Sequence, residues 1–440
     1  MKNPDQFTPD RAAKLDRWQR NRDHTNGSDA VKSAGIRYLP RRREMSDADY
    51  TAHVAATNYL PAAARTLQSH LGLVFRKPSR LTAPSALVSM TTAVTEDGKS
   101  LEQLARWSFR EYLATNDGGL LIDHPEAAPG MTVAQRLALD LRPYIARYSA
   151  ESIRGLTFGV VDGRKRLINV RLSEAADRVR ELTLDGGVYT VITWKRTDAG
   201  EWIVTDTSQP KANGQVLDFI PFVPLGDEDE EGAAFDDLVS ANCEHYLQAG
   251  KHEQAMLWLS RPKPWVAGVA NDVELDVSPG SIWRFETTDV QVGMLQLDAS
   301  GLSHITDHLA ELKEQMAQLG SRMLASEKAA AEAAETVARR QASENSVLAS
   351  MARHTGDRIT EAVKILGRWL GVDVSTVAFA LNTDFIPAPI DPQTIAQLVS
   401  LNQAGKLTDR ELFDALQKGE IIDESVDFEA HQALSLIHIS

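Results

Sequence analysis

From Leu302 to Met323 the apolar positions form a regular series. Leu302, Ile305, Leu309, Leu312, Met316, Leu319 and Met323 step alternately by 3 and 4 residues. This is the 3.5-residue repeat of a helix that packs along one seam. The large apolar residues thin out between Ser326 and Ser346, where Ala, Glu, Ser and Arg dominate, so the helical run is expected to break there. It resumes through Val347, Leu348, Met351, Ile359, Val363, Leu366 and Leu370, and Gly371 supplies a C-cap. Upstream, Ser46 offers an N-cap to a helix reaching about Leu73, which Pro61 kinks or splits. Leu101, Leu104, Trp107, Phe109 and Leu113 lie at helical spacing, and Asn116-Asp117-Gly118-Gly119 turns into a short buried strand, Leu120–Ile122. Thr132–Leu141 reads as helix.

The period then changes from helical to alternating. Leu167–Leu172, Val179–Leu184, Val188–Lys195 and Trp202–Thr205 are rich in Val, Ile, Thr and aromatic residues. Asp185-Gly186-Gly187 and Asp198-Ala199-Gly200 separate the last three as hairpin turns. Leu217–Val223 is expected to add a further strand. A helix starting near Ala233 carries Phe235, Leu238, Val239, Tyr246 and Leu247, runs to Leu259 and stops at Arg261-Pro262-Lys263-Pro264. Residues 261–300 read as an insertion of short strands with Trp265, Trp283 and Phe285. Beyond a Pro-rich linker, Ile386–Pro392, come two short helices, Thr394–Ala404 and Thr408–Lys418, the second with Thr408 and Glu411 in capping-box positions. The expected fold class is α+β: long helices, a small antiparallel sheet, and a β-rich insertion between two helices.

Composition sharpens this only in part. The chain has 440 residues, 43% hydrophobic and 25% charged, which suits a chain with a real core. A net charge of −14 argues against a simple basic nucleic-acid binder. The charge is uneven. Arg11–Arg43 holds ten Lys/Arg against three Asp/Glu, and residues 1–40 are expected to form a flexible basic arm with one short helix near Arg11–Arg22. Asp227–Asp237 holds seven acidic residues and complements the positive end of the helix that follows. Both runs read first as solvated segments, and second as an arm for a polyanion or acidic partner and an acidic rim. Cys243 is the only cysteine, which fits a reducing compartment and a small buried hydrophobe. No apolar run approaches 18 residues and the N-terminus has no apolar signal core, so no membrane association is expected. Leu434–Ser440, LSLIHIS, resembles translated sequencing-adaptor sequence, so 434–440 is expected to be a non-native tail.

Motifs for chemistry are missing. There is no phosphate-binding Gly-rich loop, no H-E-x-x-H and no G-x-S-x-G. His252-Glu253 lacks a second His at helical spacing. His304 and His308 stand at i and i+4, but no third ligand is in view. Asp384 and Asp391 have no acid–base partner. No catalytic, metal or cofactor-binding residue is assigned, and no enzyme activity or cofactor is expected.

Four stretches carry a family likeness: YLPAAARTLQSHLGLVFRKP at 59–78, RPYIARYSAESIRGLTF at 142–158, IPFVPLG at 220–226 and RQASENSVLASMARHTGDRITEAVKILGRWLG at 340–371. Taken in order over roughly residues 36–430, the chain resembles the portal proteins of tailed bacteriophages, in a divergent branch known as a domain of unknown function. The resemblance implies a homo-oligomeric ring of about twelve subunits at one capsid vertex of the virion, assembled in the cytoplasm of the bacterial host. Double-stranded DNA would pass through it without sequence specificity during packaging and ejection. The terminase motor, capsid and neck proteins would be its partners. On this scheme 41–232 is the wing, 233–260 and 301–325 are stem helices, and 261–300 is the clip. Residues 326–370 hold the channel loop and long helix, and 371–433 the C-terminal wing and a short crown. The short C-terminus departs from larger relatives and weakens the crown assignment. Lys313, Arg322 and Lys328 become DNA-channel candidates, though each also reads as an ordinary solvent-facing charge. Leu309, Leu312, Met316 and Leu319 become stem-packing residues, within or between subunits. Trp265, Trp283 and Phe285 become clip contacts. A net negative ring would guide DNA without gripping it. The alternative is a cytoplasmic helical adaptor that binds a partner helix through the heptad seam.

Overall fold

The basic N-terminal segment is folded into the body of the chain. The computed structural model describes residues 3–125, 141–212, 214–227, 230–260, 263–268, 276, 281–285, 289–295, 300–320, 334–385, 392–419, 421, 422, 426, 428, 429 and 432. Instead of a flexible arm, the segment forms a helix, α1 (Leu15–Asn26), between shorter helical turns at Pro9–Ala12 and Ser28–Ser33. Two kinds of side chain hold it. Trp18 and Val31 are fully buried, each worth ~1.5–3 kcal/mol on transfer from water. The Trp18 indole also donates to the Thr115 carbonyl at 3.1 Å. The basic residues find carboxylates: Arg11 is buried and donates to Asp117 at 2.7 Å and to the Ala150 and Ile153 carbonyls. Arg22 holds Glu111 at 2.6 Å and also pairs with Glu151. Charge in this segment marks internal pairing.

Pro61 splits the next helical stretch into α2 (Asp47–Ala56) and α3 (Ala62–Val74). The Ser46 hydroxyl caps α2 by accepting from the Asp49 amide. After a short strand, β1 (Arg80–Thr82), comes α4 (Leu101–Thr115), which starts at a capping box of Ser100 and Gln103 and buries Leu104, Phe109 and Leu113. Asn116 ends α4 with φ 47°, and Gly118 follows at φ 97°, where a Cβ would strike the Glu111 side chain at 2.7 Å. This turn delivers β2 (Gly119–Asp123), the centre of an antiparallel three-stranded sheet with β3 (Tyr144–Tyr148) and, further along the chain, Phe222–Pro224. The second sheet is an antiparallel meander of β4 (Ile153–Val161), β5 (Arg164–Ala175), β6 (Arg178–Asp185), β7 (Val188–Arg196) and β8 (Trp202–Ser208). Gly186 and Gly187 connect β6 to β7 with φ of 55° and 78°, the mirror-image turn that matches strand twist. A two-residue ladder follows, β9 (Lys211–Ala212) and β10 (Gln215–Val216). The strand expected at Leu217–Val223 is shorter, β11 (Phe222–Pro224), and joins β2 rather than the meander. Pro221, which has no amide hydrogen, precedes it.

Next come α5 (Asp236–Leu259), β12 (Lys263–Ala267), β13 (Gln291–Leu295), α6 (Ser300–Leu319) and α7 (Ala334–Leu370). The break expected over Ser326–Ser346 does not reach Ser346, because α7 is helical from Ala334. Ala, Glu and Arg are strong helix formers even without large apolar neighbours. Gly371 ends α7 at φ 68°, with its amide donating to the Arg368 carbonyl and that of Val372 to Gly367. Residues 371–381 belong to the first unit: β14 (Ala378–Ala380) pairs with β1 and packs on α7. The chain divides into two compact units, Met1–Leu381 and Asn382–Ser440. The second contains α8 (Pro392–Gln403) and α9 (Asp409–Lys418), the latter opened by the Thr408–Glu411 capping box. The fold is α+β. All but the last residue of the helix expected at Thr132–Leu141, most of the Ile386–Pro392 linker and the 434–440 tail lie outside the described residues; Leu141 itself is not helical.

Candidate functional site

α5 and α6 pack against each other in opposite directions. A Cβ on Gly320, just past α6, would lie 3.2 Å from the Leu238 side chain at the start of α5. Further along, Lys313 faces His245, whose pKa is lowered first by burial and then by that cation. The remaining two ends lead into β12 and β13, which pair antiparallel with Trp265 opposite Gly293 and Val266 opposite Val292. Gly293 is needed there, since a Cβ would fall 2.6 Å from the Trp265 indole. The pair therefore has a base, where it meets the body, and a far end made of strands.

Burial differs sharply between these ends. In α5, Leu238, Val239, Ala241 and Tyr246 are buried, whereas Met256, Leu257 and Trp258 are 43, 49 and 50% exposed. Three consecutive apolar residues exceed the single stripe that one packing helix covers. On the ladder, Trp265, Val292 and Met294 are 44, 53 and 59% exposed. Pro264, Val266, Val292 and Met294 occupy one face of the ladder and Trp265 the other. An isolated two-stranded ladder is marginal in water. This concentration of exposed apolar residues is the best candidate for a functional surface.

The sequence-assigned residues distribute unevenly over it. Trp265 lies on the ladder. Trp283 and Phe285 lie in the 281–285 segment and are half-buried, with the Trp283 indole donating to the Asp276 carbonyl at 2.6 Å. The heptad seam splits: Leu312 and Met316 are buried, Leu309 is half-buried, and Leu319 is exposed. A straight helix drifts about 20° per heptad relative to a 3.5 repeat, so one neighbour, α5, cannot cover the whole seam. Lys313 is exposed, and Arg322 and Lys328 lie outside the described residues. The helical pattern carries α5 through Met256, Leu257, Trp258 and Leu259 but does not mark the first three as exposed. Val292 and Met294 are not singled out, because alternation on so short a ladder gives little.

The two charge runs meet at the base of α5. Asp236 accepts from the Asn21 amide at 2.7 Å, with Arg17 and Arg20 at 3.7 and 3.6 Å. Close by, Cys243 Sγ lies 3.0 Å from His24 Nε2, and Tyr59 Oη 2.9 Å from His24 Nδ1. This has the outline of a thiol–imidazole pair, but burial pushes the thiol up to about 11 and the imidazole down to about 4. Both stay neutral near pH 7, so the contact packs and hydrogen-bonds without generating a thiolate. His304 and His308 are exposed on α6, the latter 3.5 Å from Glu311. Among the described residues no three His, Cys, Asp or Glu converge as a metal site, and no helix is long and apolar enough to cross a membrane.

No curated protein is significantly similar to the chain. Residues 234–370, from the approach to α5 through the end of α7, match a family described as a domain of unknown function, DUF4055. Among solved structures the chain is similar to one in the neck of a native GTA particle computed with C12 symmetry, at 11% identity and a TM-score of 0.41, covering 81% of this chain and 89% of that one. It is similar to another in the neck of an empty GTA particle computed with C6 symmetry, at 12% identity and a TM-score of 0.44, covering 85% and 94%. A third similarity is to a chain of the virion of a native gene transfer agent particle, at 12% identity and a TM-score of 0.39, covering 88% and 98%.

Proposed function

We propose that this chain is a structural subunit of a phage portal, closing into a ring of about twelve copies at a capsid vertex. Its role is to conduct double-stranded DNA during packaging and ejection and to dock the packaging motor and neck proteins. The observation that carries this reading is the antiparallel α5–α6 pair, with a base locked into the body and a far end of exposed apolar residues on helix and ladder. Such a surface calls for cover. A second copy in a rotated, head-to-tail contact supplies it, and repetition of that contact closes a ring. The quoted sequence stretches support the same reading. On it, α5 and α6 are stem helices, 261–300 is the clip, and α7 backs the channel. Lys313, Arg322 and Lys328 guide DNA without sequence preference, and Leu319 is the seam residue left for contact between subunits.

Native mass spectrometry and negative-stain imaging of the full chain test this. The expected result is a closed ring with a central hole wide enough for a duplex. A chain that stays monomeric or dimeric at every concentration and salt tried overturns it.

A further inference from the structure

A cleft of about 420 Å³ opens between the β4–β5 hairpin, the 219–226 segment and the C-terminal part of α7. It is far from the α5–α6 ladder in sequence and belongs to a different part of the fold. Its walls carry Lys165, Arg166, Arg358, Lys364 and Arg368 against a single carboxylate, Glu361. On α7, positions 358, 361, 365 and 368 share one face, so the helix presents its charges to the cleft as a row. Glu361 lies 3.6 Å from Arg358, and among the described residues Lys364 makes no ion pair. The Arg358 Nε is buried without a hydrogen-bond partner. In a chain of net charge −14 the lining holds more cations than carboxylates, and Lys364 and the Arg358 Nε are the groups that an incoming anion would meet.

The lining also says which anion. Phe158, Leu167, Phe219 and Ile365 contribute apolar wall. Lys165 sits 4.8 Å from the Phe158 ring centroid and Arg368 5.1 Å from that of Phe219, so aromatic and cationic groups alternate. A single strand of nucleic acid would stack its bases on aromatic faces, but those of Phe158 and Phe219 are already covered by Lys165 and Arg368, and Leu167 and Ile365 offer it only aliphatic wall. A peptide with acidic residues flanking a large apolar side chain uses both features: the side chain enters the wall and the carboxylates meet the rim. The volume suits a ligand of a few side chains. We infer that this cleft binds an acidic peptide segment of a partner protein, anchored by an apolar side chain.

Fluorescence anisotropy on the full chain at low salt tests the inference with a labelled hexapeptide, EEFLDE. A second peptide of equal charge, EEGSDE, removes the apolar anchor, and a single-stranded oligonucleotide of matching length probes the nucleic-acid reading. The expected result is saturable binding of EEFLDE, about tenfold weaker binding of EEGSDE, and loss of about tenfold in affinity in Lys364→Glu with Arg166→Glu. Both substituted residues are only partly buried, and circular dichroism checks that the variants fold. Lys364→Gln, a milder change, is expected to weaken binding about threefold. No binding of EEFLDE, equal binding of the two peptides, tighter binding of the oligonucleotide, or no response to either substitution overturns the inference.

Discussion

The N-terminal segment and the far end of the α5–α6 pair invert the usual distribution of residues in opposite ways. The first turns charge inward. Arg11 is buried against Asp117, and Arg22 bridges Glu111 and Glu151 across stretches of 89 and 129 residues. The second turns apolar residues outward, on Leu257, Trp258, Val292 and Met294. The contrast teaches where each region's partner resides. For the basic segment the partner is in the same chain, so its charge acts as a lock between distant elements. For the strand-tipped end the proposed partner is another copy, so exposure in one chain becomes burial in the ring. A basic run and an apolar triplet therefore mean different things according to whether the complementary surface is encoded nearby, far along the chain, or only in the next subunit.

The largest test removes the lock. Arg11→Ala leaves Asp117 buried without its cation and the Ala150 and Ile153 carbonyls without a donor. Breaking a buried pair on one side costs about 3–5 kcal/mol. The urea midpoint of the full chain should fall accordingly, with little change in slope. A loss under about 1 kcal/mol would return the segment to a loosely tethered arm and erase the comparison.

A second test uses pH on the same segment. His24 is fully buried, and burial lowers its pKa from 6.5 to about 4. Between those values the unfolded chain takes up a proton that the folded chain refuses. Its contribution is fully present above pH 6.5 and is lost as pH falls toward 4, by at most about 3 kcal/mol. His70, also near 4, acts in the same direction. In His24→Gln the loss of stability between pH 7 and 4.5 should be smaller than in the natural chain, although the variant starts lower at pH 7. Equal slopes in the two proteins would place His24 in a solvated setting and weaken the inward reading of the segment.

What the sequence disclosed follows the range of the interactions. The Thr408–Glu411 capping box, the Gly186-Gly187 turn, the split at Pro61 and the Gly371 cap are all set within a few residues, and each is readable; the Ser100–Gln103 box is equally local but emerged only with the structure. Ser100→Ala should cost about 1 kcal/mol in thermal unfolding, a local effect separate from both contrasted regions. The N-terminal lock was not readable, because Arg11 and Asp117 are 106 residues apart and composition alone favours solvation of a basic run. The heptad seam was legible as a helix but not as a surface: Met316 is inside and Leu319 outside, and only the position of α5 decides that. The cationic cleft gathers residues from three separated stretches, none with a motif.

The smallest effect on the isolated fold is the most decisive for the comparison. Leu257→Ser with Met294→Ser alters two side chains that are 49 and 59% exposed. Exposed substitutions of this kind usually change stability by no more than about 0.5 kcal/mol each. Unfolding by urea should therefore be nearly unchanged. Assembly should not be. If the apolar end is covered by a neighbouring copy, each ring contact loses buried area at both positions, and the loss is repeated at every subunit boundary. Native mass spectra should then shift from the ring toward free subunits at concentrations where the natural chain is fully assembled. Should these substitutions lower the unfolding midpoint as much as Arg11→Ala does, their side chains pack within the same chain, and the outward-facing end is simply another internal surface. If neither stability nor assembly moves, the apolar end is not the subunit contact, and Leu319→Glu tests the stem seam in its place, with release of free subunits as the result that would support a ring closed there.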